Sequence, residues 1–165
     1  MKLKDERGGK LVVVAHCILN QNARVLSLAD YPAVIDEVVD VFRKHDIGLV
    51  QLPCPELTYA GAQRPTKTKE EYDTPKYRKH CRQIVLSVAK QLEEFAENNV
   101  RIVALLGVEG SPSCGIGDSA DKTGILIEAL ASELEKRRLK VPMHAINPSR
   151  IADDVKWLRN ILKQL

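Results

Sequence analysis

A chain of 165 residues, 44% hydrophobic and 28% charged, is long enough to close one hydrophobic core without staples and has the composition of a soluble globular protein. The formal net charge of +3, with no long basic run, gives no nucleic-acid surface, and no apolar stretch reaches the length of a membrane helix. The charged start, MKLKDERGGK, lacks the apolar centre of a signal peptide, and four cysteines are too few for a secreted disulfide framework. A cytoplasmic protein with one domain over 1–165 is therefore expected, and in a reducing compartment loop cysteines point to metal binding or catalysis.

In chain order, the run LVVVAH predicts a first strand over 11–16. A helix follows from Tyr31 to His45, with Val34, Val38, Val41 and Phe42 at helical spacing. GLVQLP predicts a second strand over 48–53, and the polar stretch 53–75 then reads as one long connection, a length usually kept for function. A second helix is predicted over 75–99, where Ile84, Val85, Val88, Leu92 and Phe95 line one face. RIVALLG predicts a third strand over 101–107; a third helix runs over 120–138 with Asp118 or Ser119 as its cap. PMHAIN predicts a fourth strand over 142–147, and Ser149 reads as the N-cap of a last helix carrying Ile151, Val155, Leu158 and Leu162. Short Val/Ile/Leu runs alternating with amphipathic helices define an α/β, Rossmann-like three-layer domain with a four-stranded parallel sheet. Strand order 2-1-3-4 with right-handed crossovers is the expected arrangement.

That order has a chemical consequence. Cys17 follows the first strand, Cys54 the second, and Cys114 lies in the loop after the third. In an open parallel sheet these loops leave from the same edge, where such folds bind ligands, so three thiols far apart in sequence converge. Cys81 instead continues the apolar face of the second helix and reads as a small buried hydrophobe. The paired CxxC elements of a structural zinc site are absent. Three thiolates suit either an open zinc or an iron–sulfur cluster with one iron left without a protein ligand.

The neighbours of the thiols supply further groups. In PCPE, Glu56 stands two residues past Cys54 as a base, a ligand or a solvated charge. In GSPSCGIG, Ser111 and Ser113 are candidate hydrogen-bond donors, and Gly115 and Gly117 would let the backbone approach a bulky ligand. His16, Asn20 and Asn22 flank the first thiol in HCILNQNAR, where amide side chains can read a nucleobase-like edge or simply shape a loop. Arg64, in AGAQRP, reads as a contact to an anionic or carbonyl group of a substrate or as a solvated loop residue.

Cys17 after the first strand, CPE at 54–56 and SPSCG at 111–115, together with TGILIEAL at 123–130, resemble the thiouracil desulfidase (TudS-like) family over most of the chain. The first motif continues as CILNQNARV where the better-known branch has a second cysteine and an aromatic–Asp–Gly stretch. LTYAGAQRP replaces a Gly-Gly-Leu-Pro type segment after CPE, so the chain resembles a divergent branch. The resemblance implies a [4Fe-4S] cluster on Cys17, Cys54 and Cys114, Glu56 as acid/base group, and Ser111 and Ser113 near the open iron. It implies a desulfidase acting on a small thiolated heterocycle such as 2-thiouracil, by hydrolytic C–S cleavage without net redox change. A cluster-bound sulfide carrier in a sulfur-transfer or RNA thiolation pathway, and a non-enzymatic zinc or thiol binding module, are the alternative readings.

Overall fold

A strand covered on both faces must be apolar throughout, and the chain meets that demand where the sheet lies. The structure is a computed structural model describing residues 4–165, so the first three residues of the charged N-terminal stretch lie outside the described residues. The strands are β1 (Lys10–Val14), β2 (Gly48–Gln51), β3 (Arg101–Val108) and β4 (Met143–Ile146). They form one parallel sheet in the order β2-β1-β3-β4, as the alternation of elements predicts. Val12, Val14, Leu105, Leu106 and Ile146 are fully buried within it. The register between β1 and β3 slips between Leu11 and Val13, leaving an extra residue on β3.

The helices are α1 (His16–Leu19), α2 (Asp36–Lys44), α3 (Pro55–Ala60), α4 (Lys69–Tyr72), α5 (Pro75–Glu97), α6 (Ile125–Lys136) and α7 (Ile151–Leu162). α5 packs against α6, and α2 against α7, giving the two helical layers. Among the described residues no helix is long and apolar enough to cross a membrane.

Several local expectations are corrected. The stretch 53–75 is not one open connection: Pro55 opens α3 and a capping box between Thr68 and Glu71 opens α4. The helix expected from Tyr31 starts only at Asp36, because Pro32 interrupts the pattern. Neither Asp118 nor Ser119 caps the third long helix; Gly124 precedes α6, and Asp118 pairs with Lys122 at 3.1 Å. Asn147, not Ser149, supplies the capping oxygen before the last helix, accepting from the Ser149 backbone N–H at 3.0 Å.

Candidate functional site

The sheet order fixes where the loops meet. β1 lies between β2 and β3, and the chain reverses its direction of travel across the sheet around it, so a crevice opens at the carboxyl ends of these three strands. In the β1–β2 register Val14 faces Gln51, and Cys17 and Cys54 each follow three residues later. Cys114 is brought back to the same edge by its own carbonyl, which accepts from Val108 N–H at 2.9 Å. Gly107 permits this return, since a Cβ there would collide with the Cys114 carbonyl. Cys17, Cys54 and Cys114, joined by Glu56, Arg64, His16 and Ser111, line one cavity of about 200 Å³.

Each thiol has a distinct local setting. Cys17 sits in α1. Cys54 is the N-cap of α3, its Sγ accepting from Leu57 N–H at 3.4 Å. Cys114 is buried, and its N–H donates to Ser111 Oγ at 3.0 Å. Burial pushes all three thiols above their usual range. Arg24 opposes the shift at Cys17, and Leu57 N–H and Arg64 oppose it at Cys54, while Cys114 also feels the negative charge the other two would carry. Without metal the trio is therefore protonated at neutral pH, and taking up metal must release protons. Among the described residues no group of three or more His, Cys, Asp or Glu side chains is placed to hold one metal ion.

The other candidates divide. Glu56 is buried in the first turn of α3, with Arg64 Nε 3.5 Å from its Oε1. Arg64 is neither solvated nor free to swing out: its side chain is 3% exposed, Nη2 donates to the Ala23 carbonyl at 2.7 Å and Nη1 to that of Gly61 at 3.1 Å. His16 lines the cavity with Nδ1 3.1 Å from the Leu52 carbonyl. Ser111 Oγ accepts from the N–H groups of Ser113 and Cys114, so its own O–H remains available as a donor at the cavity it lines.

Ser113 does not line the cavity: it is fully buried and its hydroxyl lies 2.6 Å from Tyr77 OH. Asn20 and Asn22 stay exposed and bond to one another, Asn20 Oδ1 accepting from Asn22 N–H at 3.1 Å and Nδ2 at 3.0 Å. The room expected at Gly115 and Gly117 is taken by the chain itself. A Cβ on Gly115 would stand 2.7 Å from the Ser111 carbonyl and 2.8 Å from that of Lys122, and one on Gly117 would meet the Lys122 side chain. Cys81 is buried in the core on α5, as its place on the apolar face predicts. Residues not singled out from the sequence also reach the cavity: Arg24, Lys67 and Glu109. Arg24 lies within the HCILNQNAR stretch, so proximity to Cys17 was the one available signal for it; Lys67 and Glu109 carry none.

Fold and site together define an α/β protein with a thiol-lined crevice at the switch point of a parallel sheet. Over 160 residues the chain is 38% identical to the uncharacterized protein MJ0003 of Methanocaldococcus jannaschii, a match covering 96% of this chain and 99% of that one. The chain belongs to the family of MJ0003. No protein-family model and no solved structure matches it significantly.

Proposed function

We propose that the protein is an iron–sulfur-cluster-dependent desulfidase that removes sulfur from a small thiolated heterocycle, such as the nucleobase 2-thiouracil. The observation that carries this reading is the shared cavity of Cys17, Cys54 and Cys114 with Glu56 at its wall. The donor set fits a [4Fe-4S] cluster. Cysteine is its usual ligand, and the three thiols border one cavity.

Cys17, Cys54 and Cys114 would hold the cluster, which when bound supplies a Lewis-acidic iron for a soft C=S sulfur. The net reaction exchanges C=S and water for C=O and hydrogen sulfide, with no electrons gained or lost. Glu56 takes a proton from the attacking water and returns it to the departing sulfur or the ring nitrogen. Ser111 O–H donates a hydrogen bond to the substrate edge. The buried walls, Cys114 and Arg64 among them, keep bulk water away from the reacting carbon.

Anaerobic reconstitution with iron and sulfide tests the reading. Expected are about four irons and four labile sulfides per chain for a single cubane, loss of the visible absorption in C17A, C54A and C114A, and its retention in C81A. E56Q keeps the cluster and loses about 10²- to 10⁴-fold in release of uracil from 2-thiouracil. No iron uptake, or absorption indifferent to all three substitutions, overturns the reading. A full cluster with labile sulfide but no uracil release assigns the sulfide-carrier role, and about one zinc per chain without labile sulfide assigns the binding module.

A further inference from the structure

We infer that Arg64 is a positioning residue: its guanidinium ties the Cys17 loop, the Cys54 helix and the Glu56 carboxylate into one fixed arrangement. The three contacts reach two pieces of chain, the turn after Cys17 and both ends of the helix that Cys54 begins. Nη2 holds the carbonyl of Ala23, at the end of the short helical turn that follows Cys17 and α1. Nη1 holds the carbonyl of Gly61, which ends the helix that Cys54 begins. Nε faces Glu56 Oε1 at 3.5 Å and makes no hydrogen bond among the described residues.

A guanidinium is a planar fork, so fixing two of its nitrogens on backbone carbonyls fixes the direction of the third. Swinging the side chain out toward a substrate would leave the buried Ala23 carbonyl without this donor, at the cost of an unpaired buried acceptor, while the half-buried Gly61 carbonyl would keep only the Arg64 backbone N–H at 3.4 Å. Arg64 therefore acts through Glu56 and the loops, not on the substrate.

Tyr72 is a second buried neighbour of the carboxylate. It is 2% exposed, its hydroxyl has no hydrogen-bond partner among the described residues, and burial first, then the nearby Glu56, pushes its ionisation up to about 12. Glu56 thus faces a fixed cation and a neutral hydroxyl. A carboxylate on a short helix would otherwise sample several rotamers, and each excursion would move its oxygens relative to the thiols. Lysine would keep the charge but not the fork, because its ammonium cannot hold two carbonyls and an aimed third donor in one plane.

For its activity arm the inference rests on the desulfidase reading, so a second arm is independent of it. The first arm measures kcat and KM for 2-thiouracil in the reconstituted wild type, R64K, R64Q, E56Q and E56Q/R64Q. Expected are cluster content equal to wild type, KM within about twofold, and kcat reduced about 10- to 100-fold in both R64K and R64Q. In the E56Q background R64Q costs nothing further, because the group it positions is already gone. A raised KM with unchanged kcat would make Arg64 a substrate contact, and losses that multiply would make it a general structural prop; either result overturns the inference.

The second arm measures chemical unfolding of the same variants without cluster. Removing one member of a buried pair strands the other, so E56Q/R64Q is expected to be more stable than R64Q by at least about tenfold in the unfolding equilibrium constant. If R64Q does not fold, recovery of folding in the double variant is the same result. Absence of coupling overturns the tie whatever the activity shows. Coupling in a wild type that releases no uracil upholds the tie and overturns the desulfidase reading instead.

Discussion

Ser111 and Ser113 stand two residues apart in one motif, and the turn between them sends their hydroxyls in different directions. Ser111 lines the cavity, whereas Ser113 and Tyr77 share a buried hydrogen bond, and the Tyr77 hydroxyl is held neutral by its burial. S113A leaves that phenol buried without its partner, at a cost of about 1–3 kcal/mol. Thermal unfolding should show a drop of several degrees, and iron and labile-sulfide content should match the wild type. A loss of cluster with unchanged stability would move Ser113 back to the site. The motif announced a serine near the thiol, but one residue of turn geometry decided which serine, and turn geometry is a property of the folded loop. Arg64 makes the same point more strongly. In a run as polar as AGAQRPTKTKEEYD nothing separates a buried arginine from a solvated one, because the carbonyls that bury it come from Ala23 and Gly61.

Elements were far more legible than orientations. The four strands stand within a residue or two of their expected bounds, because apolar β-branched runs bounded by polar turns have few other uses. α3 and α4 were not legible, since both are short and are set by Pro55 and the Thr68–Glu71 capping box rather than by a hydrophobic face. The loop that carries Cys114 is itself packed as an element. Its Ser113 carbonyl accepts from Leu126 N–H at 3.0 Å and its Pro112 carbonyl from Ile125 N–H at 3.0 Å, so the loop caps α6 in place of the Asp118 or Ser119 side chain. Gly124 makes that contact possible, because a Cβ there would run into the Ser113 backbone. G124A must push the loop off the helix, which should cost about 1–3 kcal/mol as overpacking does. The check is a denaturant midpoint together with the alkylation rate of Cys114, which should rise in the variant while that of Cys81 stays slow. Unchanged Cys114 reactivity would show that the loop does not depend on α6.

For the whole molecule, Cys17, Cys54 and Cys114 sit just beyond the ends of β1, β2 and β3, where Cys114 joins the edge of the core and Cys17 packs against it, while most of the core lies between the sheet and its two helical layers. On the proposed reading, metal removal takes away a ligand and leaves most of the core in place. The metal-free protein should keep its far-UV circular dichroism and cooperative unfolding, with a lower melting temperature because only the folded state presents the assembled site. Its pH response follows from the thiols. Burial raises Cys17, Cys54 and Cys114, and raises Cys81 to about 11, so the folded chain keeps thiol protons that the unfolded chain gives up above about pH 8.5. With more protons bound when folded, ∂ΔG/∂pH is negative: the contribution is complete below the ordinary thiol pKa and drains away as pH climbs through the raised values. With the proposed cluster bound, Cys17, Cys54 and Cys114 would have no proton to lose and unfolding would take protons up on those sulfurs, so of the four thiols only Cys81 would still add to the fall. The urea midpoint should thus fall more steeply between pH 8 and pH 10 in the metal-free protein than in the reconstituted one, with lysine and tyrosine titration common to both. Equal slopes would mean that these three thiols do not carry the ligand.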